Sequence, residues 1–407
     1  MLRTIATSQL CAGMYVHRLL GPWLRHPFWR VSFLADDDTV QRLAASTVEQ
    51  LVIDTDRGAD LGQDEAAGAL AAAETAESAE SAARPSRPAR SSPEASADLD
   101  SEIARARRIC LDGRDAVSAM FREARLGRSV DLQAALPLLE DITGSVMRNP
   151  VALVSVARLK TADDYTYLHS VAVSALMAML ARQLGLSEAQ TLEAATGGLL
   201  HDMGKAAVPL PILNKPGKLT EEEFTVVRRH PEEGARLLRA GGVGNHAVLD
   251  VAMHHHEKLD GSGYPTALAG EEIPLLARMG AICDVYDAIT SNRPYKQGWD
   301  PGESLRRMAS WKGHFDPLLL KAFVRSLGIY PLGTLVRLES DRLAVVVEQR
   351  PASLLAPKVR AFHSVRAREQ ILLQDIDLAS PGCQDRVVGI ESPHEWGFRN
   401  LEKLWMP

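Results

Sequence analysis

The chain has few cysteines, and none is arranged as a metal knuckle or a disulfide framework. Its 407 residues contain four, Cys11, Cys110, Cys283 and Cys383, and no two of them form a CxxC pair. Scattered thiols of this kind argue against a zinc ribbon and a disulfide-stapled secreted domain. Reduced thiols and a cytoplasmic location are therefore expected.

Long apolar runs and an excess of positive charge are also missing. The most apolar stretch, residues 171–180, is shorter than the roughly 18 residues of a membrane-spanning helix. Residues 1–10 lack the apolar core of a signal peptide. Because the net charge is −6, the chain has no basic footprint for nucleic acid. Its 46% apolar and 24% charged residues predict a soluble protein with a sizeable core.

Composition and hydrophobic periodicity divide the chain into four parts. Residues 1–57 read as a small α/β module, and residues 331–407 as a small β-rich extension. Residues 58–97 are rich in Ala, Glu, Ser, Pro and Arg and lack aromatics, so they predict a flexible linker that cannot offset its ordering entropy by burial. Residues 98–330 predict an all-helical domain, which makes the fold mainly α.

Short β-patterned and helical segments define the two small modules. The strand predictions are residues 14–19, 50–55, 333–338, 342–347 and 357–362, and the N-terminal helix prediction is residues 36–45. Between the first two strands lies an aromatic cluster of Trp23, Phe28 and Trp29. Two interpretations stay open for this cluster, a ligand or partner surface and the core of a small domain.

Helix signals recur through the large domain. Ser187 begins a predicted capping box for a helix that continues into His201 and Asp202. Thr220 begins a second one, for a helix that is predicted to carry His230. The other predicted helices are residues 101–125, 131–147, 151–160, 167–185, 246–258, 273–291, 301–311 and 317–327.

Histidines and aspartates are concentrated in this helical domain. A His–Asp pair alone is common on protein surfaces, but three consecutive histidines followed by Glu257 are rare outside metal sites. Imidazole and carboxylate ligands suit iron, manganese, zinc or nickel, and no thiolate is placed to join them. The candidate ligands are His169, His201, Asp202, His230, His254, His255, His256 and Asp284.

Several separated motifs within residues 163–330 carry a specific resemblance. They are HDMGK at residues 201–205, His230, HHEKLDGSGYP at residues 255–265 and DVYDAIT at residues 284–290. In this order they resemble the HD-GYP family of bacterial metal-dependent phosphodiesterases, which belong to the HD superfamily and hydrolyse cyclic di-GMP. The N-terminal module resembles an uncharacterised domain that often precedes HD-GYP domains.

The resemblance implies a site for two divalent metal ions, with iron or manganese favoured and nickel or zinc suitable. It implies that Asp202 bridges the ions, and that His254 is a neighbour because the family's histidine pair directly precedes a glutamate. Some members bind a third metal with a glutamate that corresponds to Tyr165 here, so two ions are expected. The implied ligands are His169, His201 and Asp284 for one ion, and His230, His255 and His256 for the other.

The resemblance also implies how the substrate is held. Lys205 is expected to neutralise charge that develops on the phosphate, and it forms the expected catalytic pair with Asp202. Arg293 and Lys296 are expected to contact phosphates. The loop residues Gly263, Tyr264 and Pro265 are expected to shape the pocket or to dock a diguanylate cyclase or another signalling protein, although a purely structural turn stays open.

The expected function is hydrolysis of cyclic di-GMP to linear pGpG, and onward to GMP if a second cut follows. Two alternatives stay open: a sensor that binds the dinucleotide without hydrolysing it, and a phosphodiesterase for another cyclic dinucleotide. For Asp287 the sequence leaves two roles open, support of a metal ligand and contact with Lys205.

Overall fold

The computed structural model describes residues 2–20, 33–44, 50–59, 99–159, 165–291, 298–350 and 353–406. The chain divides into two compact units, Met1–Pro93 and Glu94–Pro407. All but the first two residues of the predicted linker lie outside the described residues, as do Trp23, Phe28 and Trp29.

The described residues of the N-terminal unit form a small antiparallel sheet with one α-helix, as predicted. Its strands pair in the order β1-β4-β2-β3, and alternate strand residues share a core with the helix. The strands β1 and β3 were not predicted, because their segments are short and lack a clear period of two. The elements are β1 Leu2–Ala6, β2 Tyr15–Leu20, β3 Phe33–Leu34, α1 Asp37–Ala44 and β4 Gln50–Asp54.

The second unit contains the predicted helical domain. Its helices are α2 Leu99–Arg125, α3 Leu136–Arg148, α4 Ala152–Ala157, α5 Tyr165–Gln183, α6 Glu188–Leu200, α7 Leu210–Leu213, α8 Glu221–Val227, α9 His230–Ala240, α10 His246–His254, α11 Leu275–Thr290, α12 Pro301–Ser310 and α13 Pro317–Leu327. Both predicted capping boxes are confirmed, at the starts of α6 and α8.

Helix α5 lies at the centre of this domain. Each residue from 171 to 181 is at most 1% exposed, which is the pattern of a helix that is apolar on all sides. It packs against α2, α6 and α11. A Cβ at Gly198 of α6 would lie 2.9 Å from the Ser174 backbone, so only glycine permits this approach. The contact of α5 with α6 brings His169 and His201 together.

Three helix predictions are wrong at the ends that matter for the site. Helix α6 ends at Leu200, so His201 and Asp202 lie in the turn after it. His230 is the first residue of α9, a helix separate from α8. Helix α10 ends at His254 and does not extend to residue 258. These breaks free the backbone to turn each ligand toward a common centre.

A five-stranded antiparallel sheet follows the helices and belongs to the same compact unit. Its order is β8-β7-β6-β5-β9, and β5, β6 and β7 match the three predicted strands. The strands are β5 Leu335–Leu338, β6 Arg342–Glu348, β7 Lys358–Ser364, β8 Glu369–Asp377 and β9 Val387–Ile390. Among the described helices, none combines the length and the apolar character that a membrane crossing requires.

Candidate metal centre

Seven predicted ligands converge on one point inside the helical domain. They come from the start of α5, the turn after α6, the first residue of α9, the turn after α10, and the middle of α11. All are buried except His256, whose side chain is 24% exposed. Their donor atoms form three overlapping groups, each within 4.8 Å: His230, His255 and His256; His169, His201 and Asp202; and His201, His255 and Asp284.

The turn at His201 and Asp202 is locked against the start of α9. After Asp202 the backbone tightens into a short 3-10 helix, Met203–Ala207. A Cβ at Gly204 would lie only 1.8 Å from the carbonyl oxygen of His230, so any larger residue would push the two segments apart. Gly204 thus allows His230 to reach Asp202.

Three of the histidines have their ring protonation set by the backbone. The Nδ1 atoms of His201, His230 and His255 lie 2.8, 2.8 and 2.9 Å from carbonyl oxygens three or four residues earlier in the chain. A carbonyl oxygen only accepts hydrogen bonds, so each Nδ1 donates a proton to it. In the neutral ring, each Nε2 then carries a lone pair, which is the arrangement that metal-binding histidines adopt.

The two carboxylate oxygens of Asp202 face different sets of histidines. Oδ1 lies 3.3 Å from Nε2 of His230 and 3.8 Å from Nε2 of His255. Oδ2 lies 3.3 Å from Nε2 of His201 and 3.5 Å from Nε2 of His169. One carboxylate therefore stands between two groups of imidazole lone pairs, with one oxygen for each.

These atoms fit cations better than they fit each other. Nε2 of His230 and Nε2 of His255 are 3.2 Å apart, although the Nδ1 atoms hold the ring protons. Two lone pairs at that distance repel unless a cation lies between them. Nε2 of His201 and Oδ1 of Asp202 are buried without a hydrogen-bond partner, which is costly in the absence of a ligand. The donor set is thus suited to divalent metal ions.

Asp284 and Asp287 hold His169 from two sides. Nε2 of His169 lies 3.0 Å from Oδ1 of Asp284, and Nδ1 lies 2.6 Å from Oδ2 of Asp287. Burial lowers the pKa of His169, but hydrogen bonds to these two carboxylates outweigh burial and raise it. Of the two roles that the sequence left open for Asp287, the contact with His169 is the one observed, so Asp287 orients a candidate ligand.

Lys205 contacts the central carboxylate directly. Its Nζ lies 2.5 Å from Oδ2 of Asp202, and its side chain is 25% exposed. Burial alone would raise the pKa of Asp202, but its interactions with His201 and Lys205 outweigh burial and hold the pKa well below the usual value. Lys205 therefore places a positive charge at the partly exposed edge of the cluster.

The third histidine of the triplet lies apart from the other two. His254 ends α10, and its Nδ1 lies 3.3 Å from the hydroxyl of Thr266. His255 and His256 both belong to the convergent groups. Burial lowers the pKa of both, and that of His256 falls to about 3, so both rings stay neutral and able to bind a cation.

The predicted Gly-Tyr-Pro loop packs on this centre. A Cβ at Gly263 would lie 2.4 Å from the backbone nitrogen of Lys258, so only glycine fits there. The Tyr264 ring stacks on the His256 imidazole with centroids 4.7 Å apart, and the Tyr264–Pro265 peptide bond is cis. The loop thereby covers one of the candidate ligands.

Glu257 anchors the same loop, a role that the sequence did not reveal. One of its oxygens accepts 2.8 Å hydrogen bonds from both the backbone nitrogen and the hydroxyl of Thr266. The side chain is buried. The available signal was an acid directly after a histidine pair, but no sequence pattern indicates a partner nine residues later.

Three predicted positions cannot be placed in this geometry. Arg293 and Lys296, the predicted phosphate contacts, lie outside the described residues, and so does the side chain of Tyr165. Their roles stay predictions.

A helical domain in which histidines and aspartates surround one shared aspartate defines a class of proteins with a site suited to metal ions. Comparisons with known proteins agree with this class. Residues 145–319 match the model of the HD domain family. Residues 2–135 match the model of a domain of unknown function, DUF3391. The second match extends beyond the N-terminal unit into α2 and the residues after it.

Relatives extend the likeness to the whole chain. The chain is 52% identical over all of its 407 residues to the cyclic di-GMP phosphodiesterase PA4108 of Pseudomonas aeruginosa, and covers 96% of that protein. It therefore belongs to the family of HD-domain proteins that includes this relative.

More distant relatives match a smaller share of the chain. The cyclic di-GMP phosphodiesterase response regulator RpfG of Xanthomonas campestris is 42% identical over 42% of this chain and 47% of its own length. The 3'3'-cGAMP-specific phosphodiesterase 2 of Vibrio cholerae is 38% identical over 38% of this chain and 30% of its own length.

Proposed function

We propose that this protein is a metal-dependent phosphodiesterase that hydrolyses cyclic di-GMP to linear pGpG. The observation that carries the proposal is the buried Asp202 carboxylate, whose two oxygens each face a separate set of imidazole Nε2 atoms. The full-length relative, a cyclic di-GMP phosphodiesterase, supports the choice of substrate.

The residues present fit two divalent cations. His169, His201 and Asp284 with Oδ2 of Asp202 would hold one, and His230, His255 and His256 with Oδ1 of Asp202 would hold the other. When bound, such cations supply Lewis-acid activation of the attacking water and neutralise phosphate charge. Nitrogen and carboxylate donors favour iron or manganese and also suit nickel or zinc. By its position in the sequence, Tyr165 corresponds to the glutamate with which some members of the resembled family bind a third ion, so we propose two.

The chain's own groups bind and orient the reacting phosphate. Water adds to phosphorus, the bond from phosphorus to the ribose 3′ oxygen breaks, and the released oxygen takes a proton to become a hydroxyl. Lys205 donates hydrogen bonds to the phosphate as negative charge develops on its oxygens. Asp287 keeps the His169 ring aligned, and the stacked Tyr264 ring keeps His256 in place. Both contacts reduce the reorganisation needed during reaction.

Hydrolysis should be visible directly with the full chain. We expect purified protein loaded with Fe²⁺ or Mn²⁺ to convert cyclic di-GMP to pGpG, which chromatography of the products detects. After the metal is removed with a chelator, the conversion should be far slower. Bound but unchanged nucleotide would instead support the sensor interpretation. Release of GMP at longer times would show that a second cut follows the first.

A second substrate deserves the same assay. The chain is 38% identical over 158 residues to a phosphodiesterase specific for 3'3'-cGAMP. The comparison of kcat/KM for cyclic di-GMP, 3'3'-cGAMP and cyclic di-AMP distinguishes the substrates. Because the full-length relative is named for cyclic di-GMP, we expect cyclic di-GMP to have the highest value.

The proposed function also suggests a cellular location and a class of protein partner. We propose a cytoplasmic protein, since none of the four cysteines forms a disulfide. The Gly-Tyr-Pro loop, with Ser262 exposed beside it, is the proposed docking site for a diguanylate cyclase or another signalling protein. No nucleic-acid partner is proposed.

We also propose that the helical domain works without the N-terminal module. Every candidate ligand lies in the unit Glu94–Pro407, which has its own core. A fragment starting at residue 94 should stay soluble, bind as much metal as the full chain and hydrolyse cyclic di-GMP. Size-exclusion chromatography, metal analysis and turnover check this. An insoluble or metal-free fragment would place the domain boundary elsewhere.

A further inference from the structure

Arg228 lies at the rim of the candidate metal centre and is not one of its proposed donors. It is the first residue of the two-residue break between α8 and α9, two positions ahead of His230. Its guanidinium carbon lies 4.6 Å from the centroid of the Tyr264 ring. Tyr264 in turn stacks on His256, so one aromatic ring connects Arg228 to a candidate ligand.

The tyrosine holds the guanidinium without using its hydrogen-bond donors. A guanidinium group that packs on an aromatic ring keeps its N–H groups in its own plane, pointing away from the ring. Phe224, with its centroid 5.9 Å from the guanidinium carbon, adds a second aromatic contact. The two contacts limit the positions of a long side chain and reduce the entropy lost when it binds a ligand.

Arg228 also has no acidic partner within the described part of the chain. Other surface arginines of the helical domain form such pairs, for example Arg236 with Glu233 and Arg306 with Glu303. The side chain of Arg228 is exposed. An oriented guanidinium with unused donors, one aromatic ring away from a phosphodiester-cleaving centre, is suited to a planar pair of acceptors.

We propose that Arg228 is a substrate-binding residue, which donates two parallel hydrogen bonds to the dinucleotide while Tyr264 holds it in position. The acceptor pair is either two oxygens of a phosphodiester or O6 and N7 of a guanine, since both match the guanidinium fork. This inference rests on the proposed function, because it concerns a substrate larger than the phosphate at the metal centre.

The test compares a large and a small substrate on the metal-loaded full chain. We expect Arg228→Ala to lower kcat/KM for cyclic di-GMP by about 10- to 100-fold, mainly through KM. Bis(p-nitrophenyl) phosphate lacks both the second phosphate and the bases, so its kcat/KM should fall much less. Arg228→Lys keeps the charge but not the fork, and should give an intermediate value.

Arg229 provides the matched control. It is also an exposed arginine and follows Arg228 directly, but no aromatic contact of its guanidinium is found among the described residues. Arg229→Ala removes the same charge and should change neither substrate's kinetics by more than about twofold, as for a surface charge in general.

Each outcome decides the inference. Equal losses on both substrates would show that Arg228 only supports the loop and His256, and no loss on either would show that it does nothing; both results overturn the proposal. If wild-type protein hydrolyses bis(p-nitrophenyl) phosphate but no cyclic dinucleotide, the proposed function is wrong. The substrate-binding role of Arg228 is then wrong as well. If Arg228→Ala lowers kcat/KM for cyclic di-AMP as much as for cyclic di-GMP, the acceptor is a phosphate. If kcat/KM falls only for guanine nucleotides, the acceptor is the guanine base.

Discussion

Replacing Asp202 with alanine should remove bound metal and phosphodiesterase activity together. Its two carboxylate oxygens face two separate groups of histidines, so the substitution deletes one donor from each proposed cation site. It also removes a negative charge that lies between the two groups. We expect metal content to fall from two ions per chain to less than one, and kcat/KM to fall by more than about 100-fold, beyond the effect of losing a residue that only orients a ligand.

The measurement is elemental analysis beside turnover, with Asp202→Asn as a companion. Asparagine keeps the shape of the side chain, and its amide can donate to imidazole lone pairs, so this variant should stay folded while losing metal. Asp250→Asn, on α10 and outside the cluster, is the matched control and should behave as wild type. A fully active Asp202→Ala protein with two ions would show that Asp202 does not bridge.

Residue type and motif order were enough to predict that these side chains lie together, while their assignment as metal ligands stays a prediction. A triplet of histidines before a glutamate and an HD pair between apolar helices suit few other sites. The backbone conformation at each candidate ligand could not be predicted, because it depends on the residue at which each helix ends. Periodicity continues past Leu200 into His201, and nothing local shows that Gly204 must pack on the backbone of His230.

Contacts between distant segments could not be predicted from the sequence either, because they depend on how the helices and loops pack. Asp287 had two candidate partners, and only the packing of α11 against α5 places it beside His169. Glu257 and Thr266 meet because the loop between them turns back over the site. Neither contact leaves a period or a spacing in the sequence.

The missed strands have a different cause. β8 is an edge strand with exposed side chains on both faces, including Leu372 at 93%, and only Ile371 and Ile376 of its apolar residues pack on the core. It therefore lacks the alternation that marks a half-buried strand. The β5, β6 and β7 segments pack on a core, and their apolar runs made them predictable.

Replacing Lys205 with methionine should abolish most of the activity while leaving the metal in place. Lys205 is not one of the convergent donor groups, but its Nζ lies 2.5 Å from Oδ2 of Asp202. Methionine keeps the length and packing of the side chain and removes the charge. If Lys205 stabilises charge that develops on the phosphate, kcat should fall by about 100- to 1,000-fold, the usual effect of losing one such donor, with a smaller change in KM.

The separation of metal content from turnover makes this prediction specific. We expect Lys205→Met to bind two ions per chain, in contrast to Asp202→Ala, because no proposed donor is removed. Lys258→Met, on the loop that follows α10, is the matched control, since that lysine forms no ion pair among the described residues. Without metal, the variant should melt earlier than metal-free wild type, because the buried Asp202 carboxylate loses its lysine partner; with metal, the two should converge. Loss of metal from Lys205→Met would show that the lysine supports the donor set, and unchanged kcat would show that it takes no part in catalysis.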